Sequence, residues 1–121
     1  MEVLLDTSFI ISCIRKRIDF ITQLEEQGFK IKIPKEVIQE LKDLRKDSKT
    51  SHEDRIAIDV VMEMINNKRI KEIQLGTKNV DMGLIEKGKH GYYIATLDGK
   101  IKHDVPKKIV IFTAKGRVGV E

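Results

Sequence analysis

Four acidic side chains carry the chemistry that this sequence suggests. Each lies directly after a short apolar run or on the helix predicted to follow one: Asp6, Glu40, Asp81 and Asp98. Two unit charges about 4 Å apart repel by about 4 kcal/mol at an effective dielectric constant near 20, so converging carboxylates raise their own pKa values or bind a cation. Oxygen ligands select Mg²⁺ or Mn²⁺ over zinc. Such an ion activates water for attack on a phosphodiester and stabilises the leaving oxygen.

The elements that must position these acids are predicted from the alternation of short apolar runs with helical periods. Strands are predicted at residues 3–5, 29–33, 70–75, 92–97 and 109–113, and helices at 7–14, 18–25, 37–44, 52–67 and 80–89. Near-continuous apolar strands suit a parallel sheet covered on both faces, so we expect a three-layer α/β fold. Ligands of such sheets bind beyond the carboxyl ends of the strands, where the acids fall.

Helix geometry distinguishes two of the acids from their neighbours. With about 100° between successive residues, Glu40 lies at the edge of the apolar stripe of its helix, and the other acids of that helix lie further out. Viewed down its helix axis, Asp81 projects at an angle between those of Leu84 and Ile85, and so lies within the apolar face. Both acids are therefore predicted to point inward rather than into solvent.

Each acid also has an ordinary structural interpretation. Asp6 could only cap a helix, and Asp81 could be a first-turn acid favoured by the helix dipole. Asp98 stands before Gly99 in a common turn pattern, and Glu40 could be a solvated surface acid. The occurrence of all four at the predicted rim of one sheet favours a common site.

Length and composition limit the remaining classes. The chain of 121 residues suits a single domain, residues 1–121. No apolar stretch approaches the length of a membrane span, so no membrane partner is expected. Cys13 is the only cysteine, which excludes an intrachain disulfide or a cysteine-based zinc cluster and predicts a cytoplasmic location.

The net positive charge of +4 lies entirely in residues 99–121. Six basic residues of this segment are candidate phosphate contacts for a polyanion such as RNA: Lys100, Lys102, Lys107, Lys108, Lys115 and Arg117. A merely solvated basic face is the alternative.

In four short motifs the chain resembles the PIN domain family of Mg²⁺- or Mn²⁺-dependent ribonucleases. Asp6-Thr7-Ser8 resembles the opening motif, and the segment 33–41 resembles the second, with its glutamate at Glu40. Val80-Asp81 resembles the third motif, and the segment 94–98 resembles the fourth, which ends in Asp98. The motifs occur in order, and the resemblance covers the whole chain.

The resemblance implies an α/β/α sandwich whose central, mainly parallel sheet has about five strands. It implies cleavage of single-stranded RNA to 3′-hydroxyl and 5′-phosphate ends, with Mg²⁺ or Mn²⁺ held by the four acids. Ser8 and Thr96 would hydrogen-bond a bound water or a ligating carboxylate, although a structural role would explain each equally well. Residues 93–102 resemble the branch that processes ribosomal RNA precursors, whereas the small size fits the toxin of a toxin–antitoxin pair; a homodimer is a further expectation.

Departures from the family pattern keep alternatives open. Met82 stands where many members have a second acid, so one firmly bound ion is expected, and a catalytically weak scaffold that binds RNA or protein remains the rival. Lys102 and Asp104 lie near the place of a further acid without a secure match. Two phosphoryl-transfer classes fit less well: a receiver domain needs paired acids near Asp6, and a haloacid-dehalogenase-type phosphatase needs an aspartate at Ser8.

Overall fold

The computed structural model describes all 121 residues and contains one six-stranded sheet. The strands are β1 (Glu2–Leu5), β2 (Lys30–Pro34), β3 (Lys71–Ile73), β4 (Tyr93–Ala95), β5 (Lys108–Phe112) and β6 (Arg117–Val120). The helices are α1 (Thr7–Arg15), α2 (Phe20–Glu26), α3 (Lys35–Lys46), α4 (His52–Asn67), α5 (Val80–Lys89) and α6 (Gly99–Asp104), and a 3₁₀ turn covers Thr113–Lys115. None of the helices combines the length and apolar character needed to cross a lipid bilayer.

The order of the strands creates a crevice in the middle of the sheet. The order is β3-β2-β1-β4-β5-β6, and every pair is parallel except the antiparallel β5–β6 pair. The chain moves outward from β1 to β3 on one side and from β4 to β6 on the other. The topological switch point therefore lies between β1 and β4, where open α/β sheets bind their ligands.

Helices cover both faces of the sheet, which confirms the predicted α/β sandwich. Val3 and Leu5 of β1 point into the larger core, where α1, α2, α3 and α4 pack. Leu4 points to the opposite face and packs with Leu84 of α5 and Ile101 of α6. Alternate residues of β1 thus serve different cores, because successive side chains of a strand point to opposite faces. All three are fully buried.

Two elements of the structure were not expected from the sequence: the helix α6, and the strand β6, which raises the number of strands from the expected five to six. The six-residue α6 begins at Gly99 and is capped by Asp98, whose carboxylate accepts backbone N–H groups of the first turn. The four-residue β6 adds an antiparallel edge strand. Both elements are too short to produce a hydrophobic period of their own, and each depends on contacts from distant parts of the chain.

The side chains of Gln23, in α2, and of Gln27, the residue that follows α2, cover the outer edge of β6. The Val118 N–H donates to Gln23 Oε1 at 2.8 Å, and the Val118 carbonyl accepts from Gln27 Nε2 at 2.9 Å. These amides take the place of a neighbouring strand. They reduce the tendency of an open edge to pair with another chain.

Two glycines allow α5, the helix that carries Asp81, to approach its neighbours closely. A Cβ atom at Gly83 would lie 2.5 Å from Thr77 Oγ1, and one at Gly88 would lie 2.7 Å from Val105 Cγ1. Real Cβ atoms do not approach other atoms so closely, so both positions require glycine, which has no side chain. The position of α5 against the sheet depends on these contacts.

We expect Gly88→Ala to lower the free energy of unfolding by up to about 2 kcal/mol. Overpacking against Val105 costs about 1–3 kcal/mol, and the gain of about 1 kcal/mol in helix propensity offsets only part of this cost. Urea denaturation followed by circular dichroism measures the change. Gly99→Ala is the matched control, because a Cβ there meets nothing within 4 Å. Equal stability of the two variants would contradict the close packing of α5.

Candidate functional site

Asp6 and Asp98 meet at the switch point because they follow neighbouring strands. Leu5 of β1 is in register with Ala95 of β4, so the residues after these strands emerge side by side. The Asp6 N–H donates to the Ala95 carbonyl at 2.9 Å, which extends the pairing by one step. Asp6 is then the N-cap of α1, and Asp98 is the N-cap of α6. The capping interpretation of Asp6 is therefore true, Asp98 is a helix cap rather than only a turn residue, and both roles are compatible with a shared site.

The helices bring two further carboxylates to the same place. Glu40 comes from the second turn of α3 and Asp81 from the first turn of α5. Together with Asp6 and Asp98 they line one open groove of about 540 Å³. The remaining wall residues of the groove are Thr7, Ser8, Ile11, Ser12, Arg15, Leu44, Asp54 and Leu97. The structure thus places all four acids on one concave surface, although they come from distant parts of the sequence.

Hydrogen bonds fix the orientation of Asp6. The Thr96 hydroxyl donates to Asp6 Oδ2 at 2.7 Å, and the Ser8 hydroxyl lies 3.3 Å from the same oxygen. The Thr7 N–H donates to the other oxygen, Oδ1, at 2.8 Å. Asp6 is only 7% exposed, so these bonds replace much of the hydration that the carboxylate loses.

Ser8 and Thr96 also connect Asp6 to the β4–α6 loop. Thr96 Oγ1 accepts the Asp98 N–H at 3.1 Å, and Ser8 Oγ accepts the Leu97 N–H at 3.2 Å. Asp98 uses Oδ1 to accept the N–H groups of the first turn of α6, which leaves Oδ2 for another partner. The two hydroxyls therefore set the spacing between Asp6, which follows β1, and Asp98, which follows β4.

Thr7 holds Glu40 across the groove and was not identified from the sequence. Its hydroxyl donates to Glu40 Oε1 at 2.9 Å, which joins the start of α1 to α3. Glu40 is exposed at the groove wall, so this bond restricts an otherwise free side chain. Sequence periodicity shows that Glu40 borders the apolar stripe, but it does not show which residue of another helix faces it.

Loss of solvent raises the pKa values of Asp6 and Glu40, and neighbouring negative charge adds to both shifts. Burial raises the pKa of Asp6, hydrogen bonds from Thr96, Thr7 and Ser8 oppose the shift, and the charge of Asp81 adds to it. Partial loss of solvent raises the pKa of Glu40; the bond from Thr7 opposes this, and the charges of Asp6 and Asp81 reinforce it. The acids are therefore close enough to feel one another electrostatically.

The donor set fits a hard divalent cation. The groove wall contains carboxylate and hydroxyl oxygens and neither cysteine nor histidine, which suits Mg²⁺ or Mn²⁺. No three such side chains stand close enough together to ligate one ion as they are placed. Mg²⁺ retains several waters and takes one or two carboxylates directly, so a spaced set of acids is compatible with it.

The six basic residues of the carboxyl-terminal segment are not brought to one surface. Lys100 and Lys102 lie on α6, which begins at the groove. Lys115 and Arg117 lie beyond the carboxyl end of β5, at the same edge of the sheet as the acids but further along it. Residues 107–108 precede or begin β5 and therefore lie at the opposite edge.

A second groove of about 600 Å³ lies at that opposite edge of the sheet. Its basic residues are Lys30, Lys32, Lys68, Arg69 and Lys71, against the acids Glu2 and Glu25. Lys32 and Glu2 form an ion pair. Cation ligands do not converge in this groove, so the acidic groove is the candidate site despite its smaller volume.

Comparisons with known proteins bear on the family and on the fold. A family model described as the PIN domain matches residues 3–114. Among solved structures, the PIN domain endonuclease Utp24 is similar, with a TM-score of 0.74 and 21% identity, covering 99% of this chain and 90% of that chain. At this identity the structural likeness shows the fold alone. No curated protein matches the chain.

We expect the contribution of Asp6 to the stability of the metal-free protein to fall as the pH rises above the ordinary aspartate pKa of 3.8. Between this value and the raised native pKa, the native state retains a proton that the unfolded chain has released, so the free energy of unfolding falls with pH. One retained proton gives a slope of at most about 1.4 kcal/mol per pH unit. Asp6→Asn removes this contribution and should be the more stable form at neutral pH.

Urea denaturation in EDTA across this pH range measures the difference between wild type and Asp6→Asn. Glu63→Gln, which neutralises an exposed acid of α4, should follow the wild-type profile. A constant difference between wild type and Asp6→Asn over the whole range would contradict the unfavourable burial of the Asp6 charge.

Proposed function

Because this chain belongs to the PIN domain family, whose members are generally nucleases, we propose that it is a Mg²⁺- or Mn²⁺-dependent endoribonuclease that cleaves single-stranded RNA. The observation that carries the proposal is the meeting of four carboxylates in one groove at the switch point of the sheet. An acidic groove is electrostatically unfavourable for a polyanionic substrate by itself. A bound cation removes this conflict and supplies hydrolytic chemistry.

The four acids would hold the ion: Asp6, Glu40, Asp81 and Asp98. When bound, such an ion would supply a water of lowered pKa and positive charge for phosphodiester hydrolysis. The chain supplies orientation. Thr96 fixes Asp6 Oδ2, Ser8 adds a weaker contact to the same oxygen, and Thr7 fixes Glu40 Oε1. Such outer partners typically alter metal affinity or activity by about 10–100-fold.

The basic residues near the groove would bind the phosphates that flank the cleaved bond. Lys100 and Lys102 lie on α6, two and four residues after Asp98. Lys115 and Arg117 lie beyond the carboxyl end of β5, at the edge of the sheet where the acids lie. Phosphate contacts of this kind position a strand without reading its sequence. Lys107 and Lys108, at the opposite edge, would contact only RNA that extends around the molecule.

A catalytically weak scaffold that binds RNA or protein is the second candidate. Two observations favour it. No three of the carboxylates stand close enough together for joint ligation, and Met82 occupies the place of an acid found in many members, with 64% of its surface exposed. The scaffold and the nuclease make different predictions for variants of the acids.

We expect a fluorescent single-stranded RNA to be cleaved in the presence of Mn²⁺ and left intact in EDTA. Asp6→Asn and Asp81→Asn should each lower kcat by about a hundredfold or more, because loss of a ligand costs at least as much as loss of its outer partner. Cleavage should yield 3′-hydroxyl and 5′-phosphate ends. Turnover measured by gel and fluorescence, with Glu63→Gln as the charge-matched control, tests this.

RNA binding separates the two candidate functions. Under the nuclease proposal, Asp81→Asn binds RNA at least as tightly as wild type, because it removes a negative charge from the groove, while it cuts poorly. Loss of RNA binding in this variant would support the scaffold. Cleavage that survives both chelation and Asp6→Asn would refute the role of the acids as metal ligands.

A further inference from the structure

The acidic groove continues along α1, away from the four carboxylates. Five residues of α1 line it: Thr7, Ser8, Ile11, Ser12 and Arg15. They form two rows with steps of three or four residues, 7–11–15 and 8–12–15, so they lie along one side of the helix. With a rise of 1.5 Å per residue, Arg15 lies about 12 Å along the helix from Thr7. The groove is therefore a trench with the acids at one end and Arg15 at the other.

Arg15 is the only basic residue of the trench wall. Its Nε donates to Asp54 Oδ1 at 2.6 Å, and its Nη2 also contacts this oxygen. A guanidinium group has five N–H donors, so the ion pair leaves several of them available. The Arg15 side chain is 54% exposed and the Asp54 side chain 20% exposed, so α4 supplies a largely covered carboxylate that holds an open guanidinium.

We propose that Arg15, oriented by Asp54, is a phosphate subsite for the RNA strand, located a few nucleotides from the cleaved bond. This inference rests on the nuclease function proposed above. A guanidinium fork matches the oxygens of a phosphodiester in a two-point hydrogen bond. Ile11 and Leu44 give the intervening trench apolar surface for sugars or bases, and Ser12 gives it a hydroxyl.

The positive charge of Arg15 offsets negative charge at the end of the trench that is far from the four carboxylates. Five carboxylates line the groove when Asp54 is included, and a divalent ion would offset only those near the cleavage point. A polyanionic strand that continues along α1 therefore needs a second positive group. The alternative role of Arg15 is structural, as a surface link between α1 and α4, which pack together.

Fluorescence anisotropy of a labelled single-stranded RNA tests the subsite, measured with Ca²⁺ in place of Mn²⁺ so that the carboxylates hold a cation while cleavage is suppressed. We expect Arg15→Ala to raise Kd by about tenfold and to lower the salt-dependence slope of log Kd by about 0.7, the loss of one phosphate contact. Lys16→Ala removes an equal charge from an exposed neighbour outside the trench and should change Kd less than twofold.

Asp54→Asn distinguishes a phosphate subsite from a structural link. Asparagine keeps an oxygen that accepts from Arg15 but removes a negative charge from the trench, so RNA should bind at least as tightly as to wild type. If the ion pair only joins α1 to α4, Arg15→Ala and Asp54→Asn should lower the melting temperature and weaken RNA binding together. That result, or an unchanged Kd in Arg15→Ala, overturns the subsite.

Cleavage in Mn²⁺ separates failure of the subsite from failure of the proposed function. The subsite predicts a higher KM and an unchanged kcat for Arg15→Ala. If wild type cleaves RNA and Arg15→Ala matches it in KM and Kd, the subsite is wrong and the nuclease proposal stands. If wild type neither binds nor cleaves RNA, the nuclease proposal itself fails.

Discussion

The site depends on one buried carboxylate held between two parallel strands. Asp6 stands where β1 ends, almost covered by its surroundings, and Thr96 at the end of β4 donates a 2.7 Å hydrogen bond to it. Burying a charged group costs free energy unless hydrogen bonds or opposite charge compensate. Here the hydrogen bonds compensate only in part, because the pKa of Asp6 remains raised.

This partial compensation connects stability with function. Repulsion between the carboxylates of the groove lowers the stability of the native state in the absence of a cation. The close packing of α5 at Gly83 and Gly88 keeps Asp81 in place despite this repulsion. Proteins commonly accept such local cost at functional sites. Binding of a divalent ion would convert the repulsion into attraction, so affinity for the ion and stability of the native state would rise together.

Much of the fold and part of the site follow from local sequence patterns. The positions of Asp6 and Asp98 follow from where apolar strands end. Glu40 and Asp81 reach the groove, but both are exposed there rather than turned inward as their helix angles predict, because the groove is open to solvent. The three-layer α/β architecture and the resemblance to the PIN domain family are confirmed. These features depend on periods of two or about 3.6 residues, which are visible within a short window.

Contacts between separate elements could not be predicted in the same way. The Thr7–Glu40 and Arg15–Asp54 pairs join residues 33 and 39 positions apart, and they depend on how helices cross rather than on the period of either helix. The basic carboxyl-terminal segment shows a different limit. Its basic residues are close in sequence, but Lys108 begins β5 at one edge of the sheet and Lys115 follows the same strand at the other. Strand direction, not composition, decides which lysines reach the site.

Anomalous X-ray scattering from crystals soaked in Mn²⁺ tests the four-carboxylate site most directly. We expect one strong peak in the groove, with oxygens of Asp6 and of at least one other acid among Glu40, Asp81 and Asp98 in its coordination sphere. The same crystals of Asp6→Asn should lose the peak. Manganese bound only at isolated surface acids, or a groove that stays empty of manganese in wild type at saturating concentration, would contradict the site.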